Sequence, residues 1–195
     1  EADVLSAARN LSERYMSYTP HIDALTQMAT LIFDTMKKVH GLGRRERLLL
    51  QVAAILHDCG KFISMSAPGE CAYQIIMSTE ILGISHMERE MVACIVRYNT
   101  MELPNFSEFD GKLGNDEYLI VMKLAAILRV CNALDRSHRQ KFADMKLTIK
   151  DSNIVITTAY PDNITLEKKT LQDKQDFFEE VYGLGFEIKQ KKKKQ

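Results

Sequence analysis

The chain has 195 residues, 46% hydrophobic and 27% charged, enough for one good core with a small appendage. Its 26 basic and 26 acidic residues cancel, so no global charge calls for nucleic acid or a membrane surface, and no stretch reads as a membrane span or signal peptide. Four cysteines, Cys59, Cys71, Cys94 and Cys131, form no Cys-x-x-Cys pair, which points to reduced thiols in a cytoplasmic protein rather than a disulfide or zinc framework. The first residue is Glu1 rather than Met, which allows a fragment of a longer chain.

The first segment repeats Leu5, Ala8, Leu11 and Tyr15, which predicts an amphipathic helix ending near Tyr18. Thr19-Pro20 starts a second helix as N-cap and first helical residue, with Leu25, Met28, Ile32, Met36 and Val39 as its inward stripe. His21 lies one turn before Leu25 on that stripe and therefore faces the core. Gly41 and Gly43 end this helix, and Arg44, Arg45 and Arg47 precede an almost unbroken apolar run from Leu48 to Leu56. Apolar residues on every side predict a helix surrounded by others, delivering His57 and Asp58 to the middle of the domain before Gly60-Lys61 stops it.

Phe62 to Gly69 reads as a loop, followed by a helix from about Glu70 to Leu82 that ends at Gly83. Ser85 and Glu88 form a capping box for a helix whose Met87, Met91, Cys94, Ile95 and Tyr98 make a stripe. The Met-rich faces, Met28, Met36, Met87 and Met91, are core filling. Asn99 to Gly114 reads as an exposed crossover, and Asn115-Asp116 caps a long helix from about Glu117 to His138 that places Asn132 and Asp135 on one side with Leu128 and Cys131. After Phe142 the rhythm changes to alternation: Met145–Lys150 and Asn153–Thr158 around Asp151-Ser152 predict a two-stranded hairpin. A helix over Ile164 to Val181 ends at Gly183, Phe186 and Ile188 offer a third strand, and the Lys189–Lys194 run reads as a solvated tail with polyanion binding as the alternative.

The buried helix leading into His57-Asp58-Cys59-Gly60-Lys61 resembles the central motif of the HD superfamily of helical metal-dependent phosphohydrolases. The whole chain is similar to the C-terminal half of the exopolyphosphatase / guanosine pentaphosphate phosphohydrolase family. Ser6-Ala7-Ala8-Arg9, His40-Gly41-Leu42, Leu124 to Arg129, Ala133 to His138 and Phe178 to Gly183 carry that likeness in order. The resemblance implies a mainly α fold: an HD-domain-like helical bundle over 1–142, a small α+β subdomain over 143–189 and a basic tail over 190–195. It also implies upstream actin-like catalytic domains holding the phosphohydrolase chemistry and a divalent ion, Mg or Mn. This chain would then add polyphosphate contacts and a homodimer surface, with no membrane or nucleic-acid partner.

In active HD enzymes a first histidine, the His-Asp pair and a later aspartate hold the metal. His21, His57 and Asp58 match the first positions, while the later aspartate falls at Asn132, a poorer ligand for a hard cation. Cys71 and Asn99 stand at two further positions that are often histidine. The likeness therefore leaves two readings: a vestigial hydrogen-bonded cluster, or a mononuclear site with Asp135 as substitute ligand in an autonomous HD phosphohydrolase acting on a nucleotide. A third function is a regulatory module that senses a guanosine tetraphosphate-type ligand. A long anion such as inorganic polyphosphate or guanosine pentaphosphate needs repeated cations, and the candidates are Arg44, Arg45, Arg47, Lys61, Arg97, Arg136, His138 and Arg139.

Overall fold

The computed structural model of the chain describes residues 1–109 and 112–191. Lys192 to Lys194 of the basic run thus lie outside the described residues. Nine helices and one three-stranded sheet are present among those described, a mainly α fold with a small α+β part. The helices are α1 (Ala2–Arg14), α2 (Thr19–Thr35), the single turn α3 (Lys37–His40), α4 (Arg44–Leu56), α5 (Pro68–Met77), α6 (His86–Thr100), α7 (Asn115–Leu134), α8 (Thr165–Lys174) and α9 (Asp176–Tyr182). No helix among the described residues is long and apolar enough to cross a membrane.

The apolar run behaves as its composition dictates. Every residue of α4 from Leu48 to Leu56 is buried except Gln51, and α2, α6 and α1 pack around it. The second buried helix, α7, joins α6 and α2 on one side to α8 and α9 on the other. Ser85 Oγ accepts the Glu88 N–H and the Glu88 carboxylate accepts the Ser85 N–H, so the expected capping box starts α6. The four cysteines are free thiols, and burial pushes Cys59 and Cys94 up to about 12.

Several helices are shorter than the apolar rhythm predicts, and side-chain hydrogen bonds mark where they stop. The Thr35 hydroxyl donates to the Leu31 carbonyl where α2 breaks, leaving Val39 exposed rather than inward. The Thr79 hydroxyl donates to the Ile75 carbonyl just beyond α5, which ends at Met77 instead of running to Leu82. Met16 adopts a left-handed conformation, φ 53°, two residues past the end of α1. Met28, Met36 and Met91 are core residues, whereas Met87 is 38% exposed.

The hairpin forms with β1 (Lys146–Lys150) antiparallel to β2 (Asn153–Thr158), and Asp151 takes the left-handed turn position at φ 55°. The third strand, β3 (Gly185–Gln190), runs parallel to β2, pairing Phe186 with Ile154 and Ile188 with Ile156. A single expected helix between them is instead α8 and α9, joined at Gln175 and closed by left-handed Gly183. The core continues into this part through Phe142, Ile154, Ile156, Leu171 and Phe178, and Tyr182 Oη donates to the Lys123 carbonyl of α7.

Gly60 sits where the turn after α4 meets the start of α5, and a Cβ there would lie 1.9 Å from the Pro68 carbonyl oxygen. A backbone atom cannot swing aside. Gly60→Ala is therefore expected to destabilise the chain by roughly 2–4 kcal/mol in urea unfolding; a loss under about 1 kcal/mol would show that α5 is not held against this turn.

Candidate functional site

Three chain segments meet at one buried centre. The first turn of α2 supplies His21, the end of α4 supplies His57 and Asp58, and the turn that follows α7 supplies Asp135 and His138. His21 has no exposed surface, and Asp135 is 1% exposed. The helix α7 stops at Leu134, four residues before the expected His138, because the Asp135 carboxylate leaves the helical path. Its Oδ1 accepts the Gln140 N–H at 2.7 Å, and left-handed His138 and Gln140 turn the chain.

Proton positions follow from partner types. His57 Nδ1 is 2.7 Å from the Ala54 carbonyl, which can only accept, so this nitrogen carries the proton and Nε2 is bare. Burial lowers the His57 imidazole to about 4, outweighing the Asp58 charge that raises it, and the ring is neutral near pH 7. His21 Nε2 lies 3.1 Å from that bare nitrogen, while His21 Nδ1 lies 2.6 Å from Asp135 Oδ2. His21 Nδ1 therefore donates to the Asp135 carboxylate, and its Nε2 faces the bare His57 nitrogen. His138 stacks on His21 with ring centroids 3.8 Å apart, and burial, with the neighbouring His21 and Lys61 charges, lowers its imidazole.

Asp58 faces the same centre. Its oxygens lie 3.3 Å from His57 Nε2 and 3.8 Å from His21 Nε2, and Lys61 Nζ sits 2.7 Å from Oδ1. Burial works to raise the Asp58 carboxyl, but the His57 ring and the Lys61 ammonium outweigh it and hold it below the usual carboxylate range. One donor atom each from His21, Asp58 and His138 also falls within 4.8 Å of the others.

Asn132 is not in this centre. It lines a groove between α6, α7 and α8 together with Asn99, Arg129 and Arg136. Cys71 lies on α5. Most of the basic candidates are already committed to carboxylates: Arg44 to Glu1 at 2.6 Å, Arg45 to Glu88 at 2.5 Å, Arg47 to Asp34 at 2.8 Å and Arg97 to Glu70 at 2.7 Å. The Arg45 fork holds Glu88 down to about 2. Arg136 and Arg139 make no ion pair among the described residues.

The structure brings three further features forward, of which only Asn99 is singled out in the sequence, as a position that is often histidine. Ala54 enters only through its carbonyl, which no side-chain pattern announces. Arg129 is drawn inward by the Tyr98 and Met101 carbonyls that it caps. Asn99 is buried in the groove with neither amide atom hydrogen-bonded; an amide at the end of an apolar stripe was the available signal.

The helical body, the small sheet and the buried centre of imidazoles and carboxylates define a mainly helical domain built around a histidine–aspartate cluster. A family model, Ppx/GppA phosphatase, domain III, matches residues 5–176, and the chain belongs to that family. A relative from Photobacterium profundum, guanosine-5'-triphosphate,3'-diphosphate pyrophosphatase, is 21% identical over 148 residues, covering 76% of this chain and 29% of the relative. The chain thus spans under a third of that relative's length.

The His57 shift fixes an acid limb of stability. Unfolded, the imidazole titrates near 6.5; folded, it titrates near 4, so the unfolded chain takes up the proton first and stability falls as pH drops through that window. In chelator-treated protein we expect a loss on the order of 2–3 kcal/mol between pH 6.5 and pH 4, reduced in His57→Asn. An unchanged acid limb in the variant would remove His57 as its cause.

Proposed function

We propose that this chain is a non-catalytic part of a phosphoanhydride hydrolase, contacting inorganic polyphosphate or a guanosine pentaphosphate-type substrate that is cleaved in upstream domains of the parent protein with Mg or Mn. Membership of the Ppx/GppA phosphatase family supports the substrate class, and the relative's name states a guanosine polyphosphate as its own substrate. The observation that carries the reading is the sorting of the cations. Arg44, Arg45, Arg47, Lys61 and Arg97 are neutralised by carboxylates of the same chain, whereas Arg136 and Arg139 leave the Asp135–Gln140 turn uncommitted. Two planar forks on a turn anchored by a buried carboxylate are suited to the oxygens of a phosphate chain.

The centre supports this division of labour. Lys61 occupies one oxygen of Asp58, and the carboxylate expected at position 132 is an amide turned into the groove. Pairing of two copies belongs to the same proposal; the exposed apolar loop Phe62, Ile63 and Met65 supports it.

One arrangement favours a second reading, a metal-dependent HD-type site. The Nδ1 protons of His21 and His57 are tied to Asp135 and Ala54, which aims both Nε2 atoms at the Asp58 carboxylate, the orientation that outer partners give to metal-ligating histidines. His21, His57 and Asp58 would hold the ion, which would lower the pKa of bound water for attack on phosphorus.

Binding of long-chain polyphosphate, measured by calorimetry with light scattering on the same samples, tests the first reading against the second. We expect salt-sensitive binding that Arg136→Glu with Arg139→Glu weakens at least tenfold, a dimer by mass, and no Mn- or Mg-dependent turnover. Binding unchanged by the double reversal would contradict the proposal. Stoichiometric metal with turnover that His57→Ala and Asp58→Ala both abolish would establish the second reading instead.

A further inference from the structure

The small sheet ends on β3, whose outer edge is open. The strand order is β1-β2-β3, and among the described residues no further strand pairs with β3. The Gly185 N–H donates to the Ser152 carbonyl and the Lys191 N–H to the Thr158 carbonyl. In a parallel ladder alternate residues bond the same neighbour, so the odd-numbered positions of β3 turn their backbone groups to β2, and Phe186, Ile188 and Gln190 turn theirs outward. Such a row of unpaired N–H and C=O groups can accept another strand.

The side chains decide which strand fits. Glu187 and Lys189 share one face of β3, exposed and 3.5 Å apart. On that face Gly185 lies under α9, where a Cβ would sit 3.4 Å from Glu179 Oε1, and exposed Lys191 stands at the other end of the row. An antiparallel copy of the strand centred on Ile188 brings outward groups together: Ile188 meets Ile188 and Phe186 meets Gln190, each pair exchanging two main-chain hydrogen bonds. In that register Glu187 falls opposite Lys189 of the second copy, and Lys191 falls opposite Gly185, beside Glu179. Sliding the partner by two residues either way keeps the backbone bonding but sets Glu187 against Glu187 or Lys189 against Lys189, which is destabilising. The Ile188-centred register satisfies charge and hydrogen bonding at once.

We infer that β3 pairs edge to edge with β3 of a second copy of this chain, about a two-fold axis between the two Ile188 residues, so that two three-stranded sheets become one continuous sheet. The interface is isologous, and each favourable contact therefore occurs twice. The charges that admit this partner also repel a slipped one, which guards an otherwise open edge. The inference rests on the pairing of two copies proposed above and assigns that pairing to a surface other than the loop of Phe62, Ile63 and Met65.

Sedimentation equilibrium, with circular dichroism on the same samples to follow the fold, tests the assignment. Glu187→Lys turns two attractive contacts into repulsive ones and is expected to weaken the dimer about tenfold or more. Glu187→Lys together with Lys189→Glu swaps the charges and is expected to restore most of that affinity. Ile188→Pro removes an outward N–H that β2 does not use, so the monomer is expected to keep its sheet and the dimer to be lost. A dimer unchanged in Glu187→Lys or in Ile188→Pro would overturn the inference and leave the pairing of copies to another surface. Weakening in Glu187→Lys that the charge swap leaves unrepaired would overturn it as well. An unsubstituted protein that is monomeric at every concentration measured would overturn both this edge and the pairing on which it rests.

Discussion

The hydrogen bond between His21 Nδ1 and Asp135 Oδ2 joins residues 114 positions apart at the centre of the fold. It ties the first turn of α2 to the end of α7, and both partners are fully enclosed. Removing one member of such a pair leaves a charged or polar group uncompensated at a cost of about 3–5 kcal/mol, far more than a surface ion pair is worth. The rest of the centre follows from this bond. With Nδ1 held by Asp135, His21 presents Nε2 to His57, and His57, pinned to the Ala54 carbonyl, answers with a bare nitrogen. Between Asp135 and Ala54 the chain of partners is closed within the protein, with the Asp58 carboxylate beside it, 3.3 Å from the bare His57 nitrogen.

That closure shapes what surrounds it. Asp135 must leave the helix to reach His21, so α7 ends early and the following turn carries Arg136 and Arg139 outward while His138 folds back onto the His21 ring. Lys61 neutralises Asp58 at the edge of the centre. Of the cations that the sequence singles out for a phosphate, Arg44, Arg45, Arg47, Lys61 and Arg97 are thus paired with carboxylates of the same chain, and Arg136 and Arg139 make no ion pair among the described residues. The same helix end sends Asn132 into the groove beside Asn99, away from the histidines.

The apolar helices, the capping box at Ser85 and Glu88 and the hairpin turn at Asp151 could be read from local patterns, because each is fixed by residues close in sequence; the third strand showed only its alternation, since its partner β2 lies about thirty residues earlier. Helix ends were less legible. Thr35 and Thr79 bond to backbone carbonyls, and Met16 turns left-handed, none of which alters the apolar period that extends past them. The positions of His21, His57 and Asp58 in the interior were legible from the stripes that carry them. The separation of Asp135 from Asn132 was not: helical phase puts both on one side, and only the long-range bond to His21 draws one out. The groove was invisible because it depends on α8 and α9 folding back against α7, a contact that no single segment encodes.

Nitrogen-15 NMR of the imidazole rings in metal-free protein at neutral pH tests the closed hydrogen-bond chain directly. The account predicts a proton on Nδ1 of both rings and none on Nε2 of His57. A His21 ring with a bare Nδ1, or a His57 ring protonated at Nε2, would contradict it, and the former would remove the bond that holds α2 to α7.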